Sequence, residues 1–595
     1  MKTLDGFQLY GFFRAGSRRV YAARHYIDTI NVFPVPDGDT GTNLSSTLAG
    51  ALASTVPGAS AARTMANLAD AAILSARGNS GVIFAQFVSG LSEKIDSAEI
   101  RIQEFAEAVG HAHRRARESV SEPKEGTILS IIEAWAAALS QRAREAQGFT
   151  ELIGSSREIL KRSLAQTTER LPELKEAGVV DAGAAGFVEF VEGGHEYLAK
   201  GTPIIDEEED ARASALKDSI EFQSHVEAAP SSPPRLRYCV EAVVGGESLS
   251  IEAVRSALSD CGDCLIVAGG PRRIKIHVHA DDPAGVMERL SPFGDVTGQK
   301  ADDMLLQYRD AHERQSKVAI VTDSSCDLSS ELIDRFGIHV VPLYILAEGS
   351  EYLDKLTIGP EILRGLSEGK GSFPRTSQPS GPSFARLFST LLSHYEEVLA
   401  IHLSSAMSGT LAASRKEAEK AGSRVRVVDS RHLSGSLGLI VLRAAEAARQ
   451  GMDAASIAAR LEEWSGKARI LVSVTSLRSM VKGGRVSPLK GMLAQALNLK
   501  PIVSVDKNGK SILYGKTFSE AANIRKIVAM VVEDHGQRPL KWYAVGHAGA
   551  PEKAGSLAGE LSSRLGFPPL YTAEISSVVA LNSGPGAVSV STMAE

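Results

Sequence analysis

The segment between residues 203 and 233 most constrains how this chain folds, because the sequence pattern differs on its two sides. It runs from an acidic stretch, Asp206 to Asp210, into Ala228-Ala-Pro-Ser-Ser-Pro-Pro234. Proline makes the second half of such a segment extended. A chain of 595 residues is also too long for one hydrophobic core. We therefore interpret residues 203–233 as a linker and expect a multidomain protein.

Residues 1–202, before the linker, have a helical pattern. Segments such as Ala61 to Ala76 and Glu125 to Gln147 are rich in alanine and carry apolar residues three and four positions apart. Almost no segment of this region alternates as a strand does. We expect an all-α domain whose connecting loops carry the chemistry.

One of these loops, residues 31–44, reads Asn-Val-Phe-Pro-Val-Pro-Asp-Gly-Asp-Thr-Gly-Thr-Asn-Leu. It places the carboxylates of Asp37 and Asp39 one glycine apart, after two prolines that restrict the backbone. Crowded carboxylates suit Mg²⁺, which prefers oxygen ligands. The residues that follow offer amides and hydroxyls at the start of a helix. The loop therefore predicts a metal and phosphate site, and an Asx-type turn before a helix is the alternative.

Three further loops have a related composition: Ser75 to Gly81, Glu125 to Thr127, and Val180 to Gly186. Each places glycine and small polar residues directly before an apolar helix, where backbone amides stay available for phosphate or ribose. Any one of them is also explained as a plain helix cap. Their occurrence together in one helical domain favours a nucleotide site.

The composition excludes several classes of protein. The net charge of −6 gives no indication of a nucleic-acid partner. Four cysteines in a chain of this length argue against a disulfide framework and for a reducing compartment. The N-terminus lacks the apolar run of a signal peptide, and no stretch approaches the roughly 20 apolar residues that span a bilayer. We expect a cytoplasmic protein.

Residues 234–316 have the pattern of a small α+β domain, and we expect a ferredoxin-like arrangement of their strands. In the strand Ile274 to Ala280, a period of two places His277 and His279 on one face. Cys239 lies in a neighbouring predicted strand. Two imidazoles and a thiolate suit Zn²⁺, whereas a pair of histidines on a solvent-facing strand is the alternative.

Residues 317–595 alternate between strands and helices, which predicts an α/β fold with a mostly parallel sheet. Ligands of such sheets bind at the strand ends, and the loops there are rich in serine. Their hydroxyls and amides suit one carboxylate or phosphate head group, although turn formation alone also explains them. The stretch Gly509 to Thr517 approximates a P-loop, but it has five residues between its glycines where the motif requires four. Asn508-Gly509 is more typical of a hairpin turn.

Four motifs of the helical region together resemble a known family. NVFPVPDGDTGTN, SARGNSGVI, EGTIL and GVVDAGAAG occur in the order found in the nucleotide-binding domain of the fatty acid kinase protein FakA, which is related to the DhaL subunit of dihydroxyacetone kinases. The resemblance implies a barrel of eight antiparallel helices that binds ATP and two Mg²⁺ ions. It makes Asp37 and Asp39 catalytic Mg²⁺ ligands, and Asn31 stands near the position of a third Asp in the dihydroxyacetone kinases. The residues that it places along the nucleotide are Thr40, Gly41, Thr42, Asn43, Leu44, Gly78, Asn79, Ser80, Gly81, Thr127, Asp181 and Gly183.

The middle segment resembles the middle domain of FakA in the motifs YCVE, at Tyr238 to Glu241, and IHVHADDP, at Ile276 to Pro283. In that family the corresponding cysteine and histidine pair form a metal site, which implies the same role for Cys239, His277 and His279.

The serine-rich loops of residues 317–595, with the motifs KGGRV and LKPI, resemble the DegV family of fatty-acid-binding proteins. Members called FakB present a bound fatty acid to FakA. The resemblance implies that Thr376 and one serine of the 404–408 loop hold the carboxylate, and that Arg485 holds the phosphorylated product or the facing kinase domain. Asn582 stands where the family usually has His. The predicted fatty-acid-binding residues are Thr376, Ser377, Ser404, Ser405, Ser408, Gly409, Arg485 and Asn582.

These resemblances imply a fatty acid kinase with its acyl carrier in the same chain, which makes acyl phosphate from ATP and a fatty acid. We expect a homo-oligomer, most simply a dimer, and an acyltransferase at the membrane as the downstream partner. A kinase of a small hydroxyketone such as dihydroxyacetone is one alternative. A lipid-binding or regulatory protein without turnover is the other.

Overall fold

The computed structural model describes residues 1–33, 38–120, 123–200, 233–359, 362–363, 365, 373–475, 477–484 and 500–595. The chain forms two compact units. The first unit is Met1–Asp282 with Arg289–Tyr308, and the second is Pro283–Glu288 with Arg309–Glu595. Residues 201–232 lie outside the described residues, so the predicted linker stays a prediction. Among the described helices, none is both long enough and apolar enough to cross a membrane.

The N-terminal region is helical, as the sequence predicts. Its first helix begins at a capping box, in which the Asp5 side chain accepts from the Gln8 N–H and the Gln8 side chain accepts from the Asp5 N–H. Two short strands, β1 (Thr3–Leu4) and β2 (Ile100–Arg101), pair antiparallel. The helices are α1 (Gly6–Thr29), α2 (Thr40–Ala53), α3 (Ala61–Ser75), α4 (Gly78–Ser92), α5 (Ile102–Glu118), α6 (Ile128–Arg142), α7 (Phe149–Arg170), α8 (Pro172–Ala177) and α9 (Ala182–Lys200).

An aromatic cluster packs three of these helices against one another. Phe84 and Phe87 of α4, Trp135 of α6, and Phe187 and Phe190 of α9 are buried. The ring centroids of Phe87 and Phe187 lie 5.3 Å apart, and those of Trp135 and Phe187 lie 5.7 Å apart. Such edge-to-face contacts add to the free energy gained by burying the rings. The cluster therefore fixes the relative positions of α4, α6 and α9, whose N-termini form the candidate site described below.

The middle segment forms a four-stranded antiparallel sheet in the order β4-β5-β3-β6. This order is the ferredoxin-like arrangement that the sequence analysis expects. The fourth strand, Asp295–Asp303, was not predicted, because its polar residues hide the strand pattern. The elements are β3 (Tyr238–Gly245), α10 (Ile251–Leu258), β4 (Asp263–Gly270), β5 (Arg273–Ala280), α11 (Pro283–Leu290), β6 (Asp295–Asp303) and α12 (Met304–His312).

The second unit begins with a parallel sheet. Its strands are in the order β13-β12-β7-β8 and are covered by helices, as the α/β prediction requires. A smaller antiparallel sheet has the order β10-β9-β11. These elements are β7 (Val318–Asp323), α13 (Ser330–Phe336), β8 (His339–Val341), β9 (Tyr344–Ala347), β10 (Ser350–Leu353), β11 (Arg375–Ser377), α14 (Gly381–His394), β12 (Glu397–His402), α15 (Thr410–Ala421), β13 (Val425–Asp429), α16 (Ser434–Arg449) and α17 (Ala454–Lys467).

The rest of the second unit departs from the predicted parallel sheet. Six strands have the order β16-β15-β14-β19-β17-β18, and only β17 and β18 pair parallel. The prediction is wrong for this sheet because the alternation of strands with helices does not specify strand direction. The hairpin turn at Asn508-Gly509 is confirmed, since Gly509 has φ 75° and joins two antiparallel strands. The elements are β14 (Ala468–Ser473), α18 (Arg478–Lys482), β15 (Lys500–Val505), β16 (Ser511–Thr517), α19 (Glu520–Gln537), β17 (Leu540–His547), α20 (Pro551–Leu565), β18 (Thr572–Glu574), α21 (Ser577–Ser583) and β19 (Val588–Ala594).

Candidate functional site

The start of α4 lies against α2 because two glycines allow a close approach. A Cβ atom at Gly78 would lie 2.5 Å from Nδ2 of Asn43, and one at Gly81 would lie 2.4 Å from Oγ1 of Thr47. Gly78 also has φ 57°, which glycine adopts at little cost. The Arg77 N–H donates to Oγ1 of Thr47 over 3.1 Å. Two of the four predicted loops therefore meet.

The starts of α9 and α6 adjoin this pair. A Cβ atom at Gly183 would lie 2.9 Å from Oγ of Ser80 and 3.3 Å from Cβ of Ile128. Asp181, directly before α9, accepts a 2.7 Å hydrogen bond from the Ala184 N–H. Its carboxyl group also interacts with the backbone of Ile128 at the start of α6. The structure thus brings all four predicted loops together at the N-termini of α2, α4, α6 and α9.

This gathering has an electrostatic consequence. The first amides of a helix have no partner within the helix and carry partial positive charge. Four helix N-termini in mutual contact therefore favour an anion with several acceptor oxygens, such as the phosphates of a nucleotide. Asp181 lies directly beside these ends, and burial raises the pKa of its carboxyl group to about 7.

Two of the three predicted metal ligands lie among the described residues. Asp37 lies outside the described residues. Asp39 occupies the N-cap position of α2, and Asn31 is buried. The sequence analysis did not include Asp28 among the residues around this loop. Its carboxylate accepts hydrogen bonds from the N–H and the hydroxyl of Thr42 over 3.0 and 2.8 Å. In the sequence, only its position about one helical turn before Asn31 could have indicated that Asp28 lies beside this loop.

Other residues that the sequence analysis predicts to bind the nucleotide also pack against or cap helices. Gly41 lies against α1, since a Cβ atom there would come within 2.4 Å of the Arg24 carbonyl oxygen. Leu44 is fully buried, and its side chain belongs to the hydrophobic core. Thr127 is the N-cap of α6 and donates its hydroxyl to the Lys124 carbonyl. Thr40 is the first residue of α2, and the buried Oδ1 of Asn79 has no hydrogen-bond partner among the described residues.

The strands β3 and β5 bring the predicted zinc ligands together. Cys239 pairs with His279 and Glu241 pairs with His277 across the two strands. Ligand atoms of Cys239, His277 and His279 all lie within 4.8 Å of one another. A thiol and two imidazoles at this spacing fit Zn²⁺ with one open position. The role of the cluster stays a prediction.

Of the three residues His277 is buried, and Cys239 and His279 are partly buried, unlike the alternative of a solvent-facing histidine pair. His277 is 6% exposed. A carboxylate oxygen of Glu241 lies 3.5 Å from Nδ1 of His277, and one of Asp263 lies 3.5 Å from Nδ1 of His279. Carboxylates beside histidines are typical of metal sites, where they orient the rings. Burial raises the pKa of the Cys239 thiol to about 11, which a bound cation would oppose.

The second unit contains a cavity of about 500 Å³, within the range of roughly 300–1,000 Å³ usual for ligand pockets. Most of its wall is apolar, and none of the described residues that line it is charged. The apolar wall includes Leu343, Leu403, Ile470, Val472, Val503 and Val578. Polar groups on the wall include Ser325, Thr376, Ser377, Gln378, Ser408, Ser434, Asn582 and Ser583. An apolar chain with one polar end fits this lining.

The serines of the 404–408 loop differ in whether they line the cavity. Ser408 and Gly409 line it, whereas Ser404 and Ser405 do not. Ser404 is buried and donates its hydroxyl to the Gly509 carbonyl over 2.8 Å. Ser405 is exposed and donates to Asp429 over 2.5 Å. The hydroxyls of Ser404 and Ser405 thus bond within the protein, and which serine of this loop contacts the ligand stays a prediction. Arg485 lies outside the described residues.

Buried carboxylates decide which hydroxyls of the cavity can donate to a ligand. Ser325 donates to Asp323, and Ser434 donates to Asp327. The oxygens of these two serines are therefore left as acceptors. Ser408 is different, because its oxygen accepts from the Thr410 N–H and its proton is shared only with the Thr410 hydroxyl at 2.8 Å.

Thr376, Ser377 and Asn582 complete the set of predicted residues on the cavity wall. Nδ2 of Asn582 donates to the Val578 carbonyl over 2.8 Å, while its Oδ1 has no hydrogen-bond partner among the described residues. Gln378 also lines the cavity, although the sequence analysis did not assign it to the ligand. A Cβ atom at Gly409 would lie 1.9 Å from Oε1 of Gln378, so this glycine makes room for the amide.

An Asp-His-Ser arrangement in the same unit does not form a hydrolase site. His402 lies 3.1 Å from Asp323 and 2.9 Å from Ser414. All three side chains are fully buried, and none lines the cavity. The nucleophile of a hydrolase must reach its substrate, so this network is structural.

Comparison with known proteins identifies the second unit. A DegV domain-containing protein of Deinococcus radiodurans is 35% identical over 277 residues, which cover 46% of this chain and 97% of the relative. The family described as "Uncharacterised protein, DegV family" matches residues 317–595. The chain belongs to the DegV family.

This DegV family member carries two further regions. The DAK2 domain matches residues 34–196, and the FakA-like middle domain of fatty acid kinases matches residues 235–311. Protein YloV of Bacillus subtilis is 32% identical over 331 residues, which cover 54% of this chain and 59% of YloV. The matches show a DAK2 region, a FakA-like middle domain and a DegV region in one chain.

Solved structures of DegV proteins also resemble the chain. "Fatty Acid Binding of a DegV family Protein from Thermus thermophilus" has 29% identity and a TM-score of 0.44, and it covers 47% of this chain and 100% of that protein. "Crystal Structure of DegV, a fatty acid binding protein from Bacillus subtilis" has 26% identity and a TM-score of 0.43, with the same two coverages.

Asp181 gives the helical region a pH dependence that can be measured. In the unfolded chain a carboxyl group of this kind loses its proton near pH 4, whereas burial raises the pKa of Asp181 to about 7 in the fold. The folded state binds more protons between these values, so its stability falls as pH rises through that window. Asp181→Asn cannot ionise. We expect the stability of Asp181→Asn relative to wild type to rise by about 1–3 kcal/mol between pH 5 and pH 7.5.

Denaturant unfolding of the ligand-free protein at both pH values measures this difference. Exposed Asp70→Asn is the control from the same unit. A difference between Asp181→Asn and wild type that does not change with pH would show that the Asp181 carboxyl group titrates normally.

Proposed function

We propose that this chain is a fatty acid kinase, which transfers the γ-phosphate of ATP to the carboxylate of a fatty acid held in the cavity of the second unit. The observation that carries the proposal is the presence of two complementary sites in one chain. One gathers four helix N-termini beside acidic residues, and the other is an apolar cavity with uncharged hydrogen-bond donors. The matches to DAK2, to the FakA-like middle domain and to DegV support it.

In this proposal, the four loops that meet in the helical region bind ATP. The amides at the starts of α2, α4, α6 and α9 hold the phosphates, with Asn43, Ser80 and Asp181 beside them. Asp37 and Asp39, near Asn31, would hold Mg²⁺, most simply two ions. When bound, Mg²⁺ supplies positive charge that offsets the repulsion between the phosphates and an incoming carboxylate.

The cavity of the second unit binds the fatty acid, which is the acceptor of the phosphoryl group. The chain of the fatty acid packs against the apolar wall, and its carboxylate accepts hydrogen bonds from Thr376 and Ser408. We assign Ser408 because it is the serine of its loop that lines the cavity and its hydroxyl bonds Thr410, not a carboxylate. Ser377, Gly409 and Asn582 adjoin this head group.

The transfer needs no base. A carboxylate oxygen forms a bond to the γ-phosphorus while the bond from that phosphorus to the bridging oxygen breaks, so the products are acyl phosphate and ADP. A carboxylate is already ionised at neutral pH, and its attack is limited by positioning and by charge repulsion. Because both sites belong to one chain, the effective concentration of the acyl carrier can reach the order of mM. We further propose a homodimer and a membrane acyltransferase that consumes the acyl phosphate.

A dihydroxyacetone-type kinase fits the cavity less well. Kinases of that type hold their substrate through a histidine, and no histidine lies among the described residues that line the cavity. A small polar ketone would also leave the long apolar wall unfilled.

The kinase proposal predicts that ATP turnover requires Mg²⁺, a fatty acid and Asp39. Asp39→Asn should lower the fatty-acid-dependent release of ADP by on the order of 100-fold or more, because an anionic ligand of Mg²⁺ is lost and the positive charge at the transferred group is weakened. Asp70→Asn, exposed in the same unit, should leave the rate within about twofold. A coupled assay for ADP measures both. Unchanged turnover in Asp39→Asn would place the metal site elsewhere.

The acceptor assignment predicts different effects for two serines of one loop. Ser408→Ala should weaken the binding of oleate by about tenfold, because a hydrogen bond to a charged group is lost. Ser405→Ala, whose hydroxyl bonds Asp429 instead, should bind oleate as wild type does. Titration of delipidated protein with a fluorescent fatty acid, displaced by oleate, gives both constants. Equal effects of the two substitutions would contradict the role of Ser408.

We also propose that Cys239, His277 and His279 hold Zn²⁺. The expected metal content is one zinc per chain in wild type and in Cys261→Ser, whose cysteine lies outside the cluster. Cys239→Ser should lose most of it, because a thiolate ligand is replaced by a hydroxyl. Elemental analysis of the purified proteins measures the metal content. Wild type without zinc, or Cys239→Ser with full zinc, would contradict this site.

A further inference from the structure

The central strand β5 of the middle sheet carries a buried lysine beside the zinc candidate cluster. Lys275 lies on the same face of β5 as His277 and His279, while Ile274 and Ile276 point to the other side. The Lys275 side chain is 8% exposed. A buried ammonium group is costly unless charged and polar partners surround it. Lys275 has two such partners.

The first partner is a carbonyl group of the helical region. Nζ of Lys275 donates to the carbonyl oxygen of Ala76. Ala76 is the C-cap of α3, with ψ 131°, so the chain leaves the helix at this residue. The next residue, Arg77, donates its N–H to Thr47, and α4 begins at Gly78. The lysine thus holds the loop that leads into the start of α4, one of the four gathered helix N-termini.

The second partner is Glu241 on the neighbouring strand. Its carboxylate lies 3.2 Å from Nζ of Lys275 and 3.5 Å from Nδ1 of His277. Burial acts to raise the pKa of Glu241, but the Lys275 charge and the His277 hydrogen bond lower it well below the ordinary value. Cys239 lies 3.8 Å from the same histidine nitrogen. Contacts therefore run without a break from the cluster through Glu241 and Lys275 to Ala76.

We propose that Lys275 is a positioning residue for the nucleotide, because it fixes the Ala76 carbonyl and with it the glycine-rich start of α4, and that Glu241 holds Lys275 in place. The inference rests on the nucleotide site of the proposed function. It adds a residue of the middle sheet to a site whose other members all come from the helical region.

A second cationic contact between the same two parts of the first unit supplies a matched control. Nη2 of Arg115 donates to the Gly269 carbonyl of β4 over 3.3 Å. Arg115 belongs to α5, whose residues do not take part in the four gathered loops. If lysine and arginine merely hold the helical region to the sheet, Lys275→Met and Arg115→Met should behave alike.

The test compares the affinity of these proteins for ADP in the presence of Mg²⁺, measured by calorimetry on the full chain. Lys275→Met should raise the dissociation constant about tenfold or more, because the Ala76 carbonyl loses a charge-assisted hydrogen bond and no longer fixes the start of α4 for the phosphates. Arg115→Met should stay within about twofold of wild type. Lys275→Arg, which keeps the charge and the donor, should recover most of the affinity.

Lys275→Met leaves Glu241 buried without its partner, which destabilises the fold, whereas the double variant Glu241→Gln/Lys275→Met removes both charges. Thermal unfolding shows which proteins are folded. The double variant should bind ADP as weakly as either single variant, since both act on the same carbonyl group.

The outcomes separate the two proposals. If wild type does not bind ADP, the nucleotide site is wrong and this inference falls with it. If wild type binds ADP and the folded double variant binds it equally well, the proposed function stands and the role of Lys275 is wrong. Equal weakening by Arg115→Met would also overturn the positioning role, because docking of the sheet would then explain both losses.

Discussion

The close approach of four helix N-termini is the constraint on which the first unit depends. Helix ends of like partial charge repel one another, so they gather only where the surrounding packing holds them. Here the aromatic cluster of α4, α6 and α9 supplies that packing, and glycines at 78, 81 and 183 remove the side chains that would keep the ends apart. An anionic ligand would relieve the repulsion, which links the fold of this region to its proposed chemistry.

The second unit contains a different kind of site, which is an apolar cavity with uncharged polar groups on its wall. Its charged side chains are kept off the described part of the cavity wall and act from behind it. Asp323 and Asp327 each accept a hydrogen bond from a serine on the wall, so those hydroxyl protons point away from a ligand that accepts hydrogen bonds. Ser408 differs from these two serines, because its hydroxyl bonds Thr410 and not a carboxylate. A carboxylate held only by uncharged donors keeps much of its nucleophilic character, since no cation pairs with it on this part of the wall.

The sequence predicts the classes of the three regions because each has a clear periodicity. It also predicts that His277 and His279 share a face, since alternation is a local property of a strand. What covers that face is not local, so the burial of His277 and the contact of Lys275 with Ala76 appear only in the structure. The same limit applies to the serines of the 404–408 loop. Serines in a loop of five residues look alike in sequence, and only the fold decides which hydroxyl faces a cavity. The direction of strands in the six-stranded sheet depends on how distant segments pair, which a pattern of strands and helices does not contain.

The product of the reaction tests the central claim most directly. The purified full chain is mixed with Mg²⁺, ATP and oleate, and hydroxylamine is added to trap any acyl phosphate as a hydroxamate, which mass spectrometry quantifies beside ADP. Transfer to a carboxylate predicts one oleoyl hydroxamate for each ADP formed. ADP released without hydroxamate would show that the γ-phosphate goes to water or to a different acceptor, and would contradict the account.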